Sequence, residues 1–234
     1  MLAIYKRELN SYYNTMIGYV FTAVFLVVSG FYFTQITLLR GSASITTVLS
    51  SISFIMILIT PVLTMRLLAE ERKSKTDQLL LTSPASVGAI VLSKFFAALT
   101  VVGVTLIITS VYPIIMVIFG NPYLGEILLG YFGFILLASC LIAVGIFISA
   151  ITESQLTAAV ASLGVMLMLW LPSTIMPYIE DATLRILLNA VSLYSYFTAY
   201  EYGILSLTSI VYYISFCSIF LFLTVLIVEK RRWI

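Results

Sequence analysis

Of the 234 residues, 62% are hydrophobic and 9% charged, and no His occurs. Soluble globular chains run at about 45–50% apolar and about 25% charged residues, so this composition excludes a water-soluble domain and indicates an integral membrane protein. A net charge of +2 makes no basic surface, so no nucleic-acid partner is expected and the lipid bilayer is the first partner.

Residues 2–15, LAIYKRELNSYYNT, mix apolar and aromatic positions with Lys6, Arg7 and Glu8, which suits a short helix lying in the headgroup plane as an elbow. The polar NSYYNT stretch is followed by a full-length apolar run with no Ala-x-Ala site, so the first span is expected to stay as a signal anchor. Marking every ionisable residue leaves six long charge-free windows, 9–39, 41–65, 95–125, 127–152, 154–179 and 202–228. Each exceeds the roughly 20 residues that a helix rising about 1.5 Å per residue needs to cross about 30 Å of hydrocarbon. Runs such as FILLASCLIAVGIFI are apolar on every side, unlike the alternating strands of a barrel. The expected fold is therefore an all-α membrane protein, a single domain over 1–234 with transmembrane helices over about 17–39, 47–65, 95–119, 127–150, 155–178 and 206–228.

Span two carries Thr60-Pro61, where a modest kink is expected. It is then expected to leave the membrane as a helix through 65–73, with Arg66 and Glu70, and Glu71 and Lys75, four residues apart. Such pairs contribute only about 0.2–0.5 kcal/mol each. Ser74 and Asp77 resemble a capping box, with Thr76 as a competing cap; a short helix to Leu81 follows, and Ser83-Pro84 stops it. Charge concentrates here: Glu70, Glu71, Arg72, Lys73, Lys75 and Asp77 fall within eight positions. A charged loop between spans is ordinarily a solvated connector, but this order of helix, cap, apolar-faced helix and proline stop also suits a docking element for a cytoplasmic partner.

Small residues recur in span four (Ala138, Ser139, Ala143, Gly145, Ser149) and span five (Ala158, Ala159, Ala161, Ser162, Gly164). They let helices approach closely in lipid, or they line a path. Pro172 and Pro177 are expected to break span five near its outer end. The outer segment 178–206 gathers Tyr194, Tyr196, Phe197, Tyr200 and Tyr202, read either as an interfacial aromatic belt or as a re-entrant lid over an exit. Ten Lys and Arg lie on the side of the two termini, the 66–94 loop and the 153 turn, against Arg40 and Arg185 on the other side. That asymmetry places both termini in the cytoplasm.

Cys140 and Cys217 fall in mid-span, so neither a disulfide framework nor a Cys-rich metal site is expected. No Walker loop occurs, so any ATP must be bound by another chain. The spans show no ionisable residue deep in the hydrocarbon, which argues against an ion-coupled transporter. Scattered Ser and Thr without a partnered base argue against an enzyme.

The segment PVLTMRLLAEERKSKTDQLLLTSPAS, followed by IVLSKF, resembles the cytoplasmic signature of ABC type 2 exporter permeases, especially the gliding-motility-type branch. SAITESQLTAA, the C-terminal YGILSLTSIVYYISFCSIFLFLTVLIVEKRRW and the N-terminal YKRELNSYYNTMIGYVF are similar to the same family. The resemblance implies a permease subunit in a bacterial-type plasma membrane, paired with a second identical or related permease and with two cytoplasmic ATPases that hold ATP and Mg. It assigns ATPase coupling to Glu70, Glu71, Arg72, Thr76, Asp77, Gln78, Leu79, Leu80 and Pro84. Lys75 stands where many relatives have Gly. The resemblance also implies a dimer contact and export path along spans one, two and five, with an outer gate for which Pro172, Pro177, Tyr194, Tyr196 and Phe197 are candidates. The alternative is a membrane anchor or sensor that uses the same loop to recruit a cytoplasmic partner.

Overall fold

The computed structural model describes residues 1–39, 41, 44–74, 86–119 and 122–232, and no strand occurs among them. An initial helix α1 (Leu2–Asn14) turns sharply at Met16, which adopts a left-handed backbone with φ 61°, into α2 (Ile17–Phe33) and a π-helical turn, Thr34–Leu38. Next come α3 (Ile45–Thr64), the short α4 (Ala69–Lys73), α5 (Val87–Thr109), α6 (Val111–Phe119) and α7 (Leu124–Ile151). The chain closes with α8 (Gln155–Ile175), a 3-10 turn Met176–Tyr178, α9 (Ala182–Val191), α10 (Thr198–Glu201) and α11 (Leu207–Arg232). Six helical segments among the described residues are long and apolar enough to cross a membrane: Ile17–Leu38, Ile45–Lys73, Val87–Phe119, Leu124–Ile151, Gln155–Tyr178 and Leu207–Lys230.

Two prolines test the helices locally. Pro61 lies inside α3, which continues through it; Thr60 donates its hydroxyl to Met56 O, and Met65 N–H bonds Pro61 O beyond it. Pro113 supplies no N–H for the carbonyl of Thr109, four residues back. Tyr131 from α7 donates to that oxygen at 2.9 Å, and the chain turns at Ser110 between α5 and α6. In span five, α8 runs through the buried Pro172 and ends at Ile175, between the two prolines where a break was expected. Pro177 sits in the following 3-10 turn, where helical hydrogen bonding is already ending.

Span four is the centre of the bundle, 72% buried over its most apolar window, whereas spans five and six are 17% and 11% buried and flank it. Spans one and three are joined along their length by hydroxyl pairs, Thr22 to Thr105 at 3.0 Å and Ser29 to Tyr112 at 2.9 Å. Between α3 and α7 the contact is closer. A Cβ on Gly145 would lie 2.2 Å from Thr64 Oγ1, so the small residue is what lets these helices meet, while nothing lies within 4 Å of such an atom on Gly164. Gly145→Ala is expected to destabilise by about 1–3 kcal/mol through overpacking. Gly164→Ala should leave the thermal midpoint of the detergent-purified protein unchanged or raised, because Ala favours helix over Gly.

Candidate functional site

Ser86 caps α5 by accepting from Ala89 N at 3.3 Å, so the helix starts at Val87 and Lys94 falls on its second turn. There Lys94 is 0% exposed. An ammonium has three donors, and each finds an oxygen: Leu67 O at 2.7 Å, Glu71 Oε1 at 2.8 Å and Glu8 Oε1 at 3.2 Å. Arg7 reaches the same two carboxylate oxygens, at 2.7 Å on Glu8 and 2.9 Å on Glu71. Two cations and two carboxylates thus alternate in a closed clasp drawn from α1, α4 and α5. Burial on this scale is tolerated because every charge is paired.

Around the clasp lies a cleft of about 340 Å³, bordered also by Ser11, Tyr12, Arg66, Glu70 and Ser74. Arg66 Nε pairs with Glu70 at 2.8 Å, and the same guanidinium donates to Thr15 Oγ1 and Ser11 Oγ at 2.5 and 3.3 Å. Tyr12 donates to Leu63 O at 3.0 Å. Arg72 turns the other way, pairing with Glu153 and donating to Ile151 O at 3.1 Å. Ser149 of α7 accepts from the N–H groups of Leu68 and Ala69 and donates to Met65 O, each at 3.1 Å. Residues 65–73 are therefore fastened to α1, α5, α7 and the turn before α8.

For Glu8, burial pushes the carboxyl up, but Lys94 and Arg7 together pull it further the other way, to a net value below the ordinary carboxylate range. Arg7 is raised, first by its hydrogen bond to Glu8. A lowered folded value means that Glu8 contributes its stability in full above its unfolded value of about 4.3, and loses it as pH falls through the folded value. Glu8→Gln is expected to lower the thermal midpoint at pH 7 and to reduce the further drop between pH 5 and pH 3. Midpoints measured across that range for both proteins check it.

On the opposite side, the outer candidates separate. Tyr194 stacks on Trp170 at 4.8 Å, meets Ser50 through its hydroxyl and donates to Glu201 at 2.7 Å. Tyr196 stacks on Tyr212 at 3.9 Å. Phe197 is wholly buried, beside Phe134 and Tyr194, and Tyr200 is likewise 0% exposed. Tyr178 and Tyr202 are exposed. Phe197 and Tyr200 thus pack into the core, which neither a belt nor a lid requires of them.

A family model described as ABC-2 family transporter protein matches residues 11–229 of this chain. The chain belongs to that family. It is accordingly the permease component of an ABC transporter, a multi-pass membrane protein for transport. A comparison with curated proteins returns no match.

Of the coupling residues expected in this ABC-2 permease, Glu70, Glu71 and Arg72 are brought to one junction but face three ways, toward Arg66, the clasp and Glu153. Thr76, Asp77, Gln78, Leu79, Leu80 and Pro84, with the short helix expected around them, lie outside the described residues. Four contributors went unread in the sequence as parts of this site: Arg7, Glu8, Lys94 and Ser149. Lys94 is buried within the protein on the second turn of α5, at the end of span three that meets α1 and α4. The signal available was Glu8 and Lys94, two opposite charges that border the apolar windows 9–39 and 95–125.

Proposed function

We propose that this permease is the membrane half of an exporter of the gliding-motility-type branch, in a bacterial plasma membrane with both termini cytoplasmic. It works with a second permease and two cytoplasmic ATPases that hold ATP and Mg. ATP-driven closure of the ATPases pushes on residues 70–84, and the displacement passes into the bundle. One observation carries this reading: Glu71 is clasped to Lys94 and Arg7, so a push on α4 reaches the first helix and span three together. Glu70 and Arg72 extend the same connection to the end of span two and to the turn between spans four and five.

The test replaces Glu71 by Gln and Asp77 by Asn, singly and together, and measures ATPase co-purification and transport-substrate-stimulated turnover in the assembled transporter. Stimulated turnover is expected to fall about tenfold, equivalent to about 1.4 kcal/mol in the activation barrier. Unchanged co-purification together with unchanged turnover defeats the assignment. Lost co-purification with normal turnover per bound ATPase would instead describe an anchor that merely recruits its partner.

A further inference from the structure

The cleft beside the clasp is lined by as many cations as carboxylates, Arg7, Arg66 and Lys94 against Glu8, Glu70 and Glu71. Its charge therefore favours neither a net anion nor a net cation. What it can bind depends on which of these groups still have hydrogen-bonding capacity. Lys94 spends all three donors, and Arg66 spends its three nitrogens on Glu70, Thr15 and Ser11. Arg7 differs: both of its ion pairs leave from one nitrogen, Nη2, so Nε and Nη1 have no protein acceptor among the described residues, and the side chain is 54% exposed. Glu70 is its counterpart. Arg66 takes Oε2 of Glu70, whereas Oε1 has no donor among the described residues. The Glu70 side chain is 43% exposed, against 11% and 15% for Glu8 and Glu71. One hollow of about 340 Å³ is thus bordered by an unspent guanidinium donor set and an unspent carboxylate oxygen.

Position narrows the ligand further. The chain passes from α1 through the Met16 turn directly into span one, Arg66 follows the last turn of α3, and Lys94 stands on the second turn of α5. The cleft therefore lies where three spans leave the apolar layer, and buried Tyr12 and Leu67 also line it. That is the depth of lipid headgroups, where a cleft of side chains at the ends of spans can take a headgroup's charged parts.

We infer that this cleft binds an aminophosphate, its phosphate accepting from Arg7 and its primary ammonium donating to Glu70, as in the ethanolamine headgroup of a phospholipid. A guanidinium and a phosphate make strong charge-assisted hydrogen bonds. A primary ammonium brings N–H donors to the carboxylate that a trimethylammonium lacks. The bound group bridges α1 to α4 beside the clasp. A soluble aminophosphate offers the same two groups, and the test separates the two sources.

The purified full chain in dodecyl maltoside is titrated with dioleoyl phosphatidylethanolamine, phosphatidylcholine or phosphatidylglycerol, and with glycerophosphoethanolamine, which has no acyl chains. The thermal midpoint is followed, because a ligand of the folded state raises it. The ethanolamine lipid is expected to half-saturate its shift at a concentration about 5-fold below that of either other lipid, the upper range for an ion pair at a half-exposed rim. Glu70→Gln should abolish that preference. Glu180→Gln, at an exposed carboxylate in the segment after span five, should keep it. Arg7→Gln should weaken all three lipids, each read against the variant's own lipid-free midpoint; unchanged half-saturation there overturns the phosphate contact. Should Arg7→Gln not fold, Glu70→Gln decides alone. Equal half-saturation by the three lipids overturns the assignment, as does an ethanolamine preference that survives Glu70→Gln. A shift by glycerophosphoethanolamine equal to that of the lipid upholds the site for a soluble aminophosphate, and a shift by the lipid alone upholds it for a membrane headgroup. The measurement needs no ATPase, so it stands even if the coupling reading fails.

Discussion

Lys94→Met is expected to destabilise the protein by about 3–5 kcal/mol, the range seen when one partner of a buried ion pair is removed. The change keeps most of the aliphatic volume but leaves Glu8 and Glu71 with Arg7 as the remaining cation of the clasp and takes the donor away from Leu67 O. Both carboxylates are largely shielded, at 11% and 15% side-chain exposure, so water replaces the ammonium poorly. Adding Glu71→Gln to Lys94→Met should recover part of the loss, since the second change removes one of the two carboxylates that then share Arg7. The two effects should then depart from additivity by about 0.5–3 kcal/mol. Thermal unfolding of the single and double variants, followed by size-exclusion chromatography in detergent, reads both numbers. A Lys94→Met midpoint within the error of the parent protein would contradict the clasp.

That clasp also marks where reading the sequence stops short. Apolar windows locate six spans because hydrocarbon imposes a length and a composition on each, and those constraints are local. The same procedure ends a window at any charge, so span three was expected to begin after Lys94, whereas the Ser86 cap starts its helix at Val87. Glu71 illustrates the second limit. Helical spacing offered Lys75, which lies outside the described residues; its described partners Arg7 and Lys94 stand 64 and 23 positions away, and such pairings follow from how helices pack. Tyr200 shows the third. Its aromatic cluster looked interfacial, yet a Cβ on Gly133 would lie 2.5 Å from its ring, so a missing side chain on span four makes the space that buries it. Small residues announced close approach in general; they could not say which aromatic would fill the gap.

Ser149→Ala is expected to cost about 2–4 kcal/mol, more than the loss of an ordinary side-chain hydrogen bond. The first N–H groups of a helix need acceptors from outside it, and the residue before α4 is Leu68, whose side chain offers none. Ser149, three helices later in the chain, supplies the missing cap to Leu68 and Ala69 and returns its own proton to Met65 O. The two N–H bonds are buried and the bond to Met65 O is partly so, and alanine leaves two donors and one acceptor unsatisfied, at about 1–3 kcal/mol for each buried group before relaxation. The change should act locally first: amide hydrogen exchange over residues 65–73 should accelerate, while α7 away from residue 149 keeps its protection. Ser149→Thr retains the hydroxyl and should preserve that protection even if its extra methyl lowers the midpoint, which separates capping from packing. Because this cap ties the proposed coupling segment to the most buried span, Ser149→Ala should also lower stimulated ATPase turnover in the assembled transporter, with the unstimulated rate retained. Exchange over 65–73 that is unaltered by Ser149→Ala would mean that residues 65–73 hold their shape without span four, and that α4 has no rigid route into the centre of the bundle through Ser149.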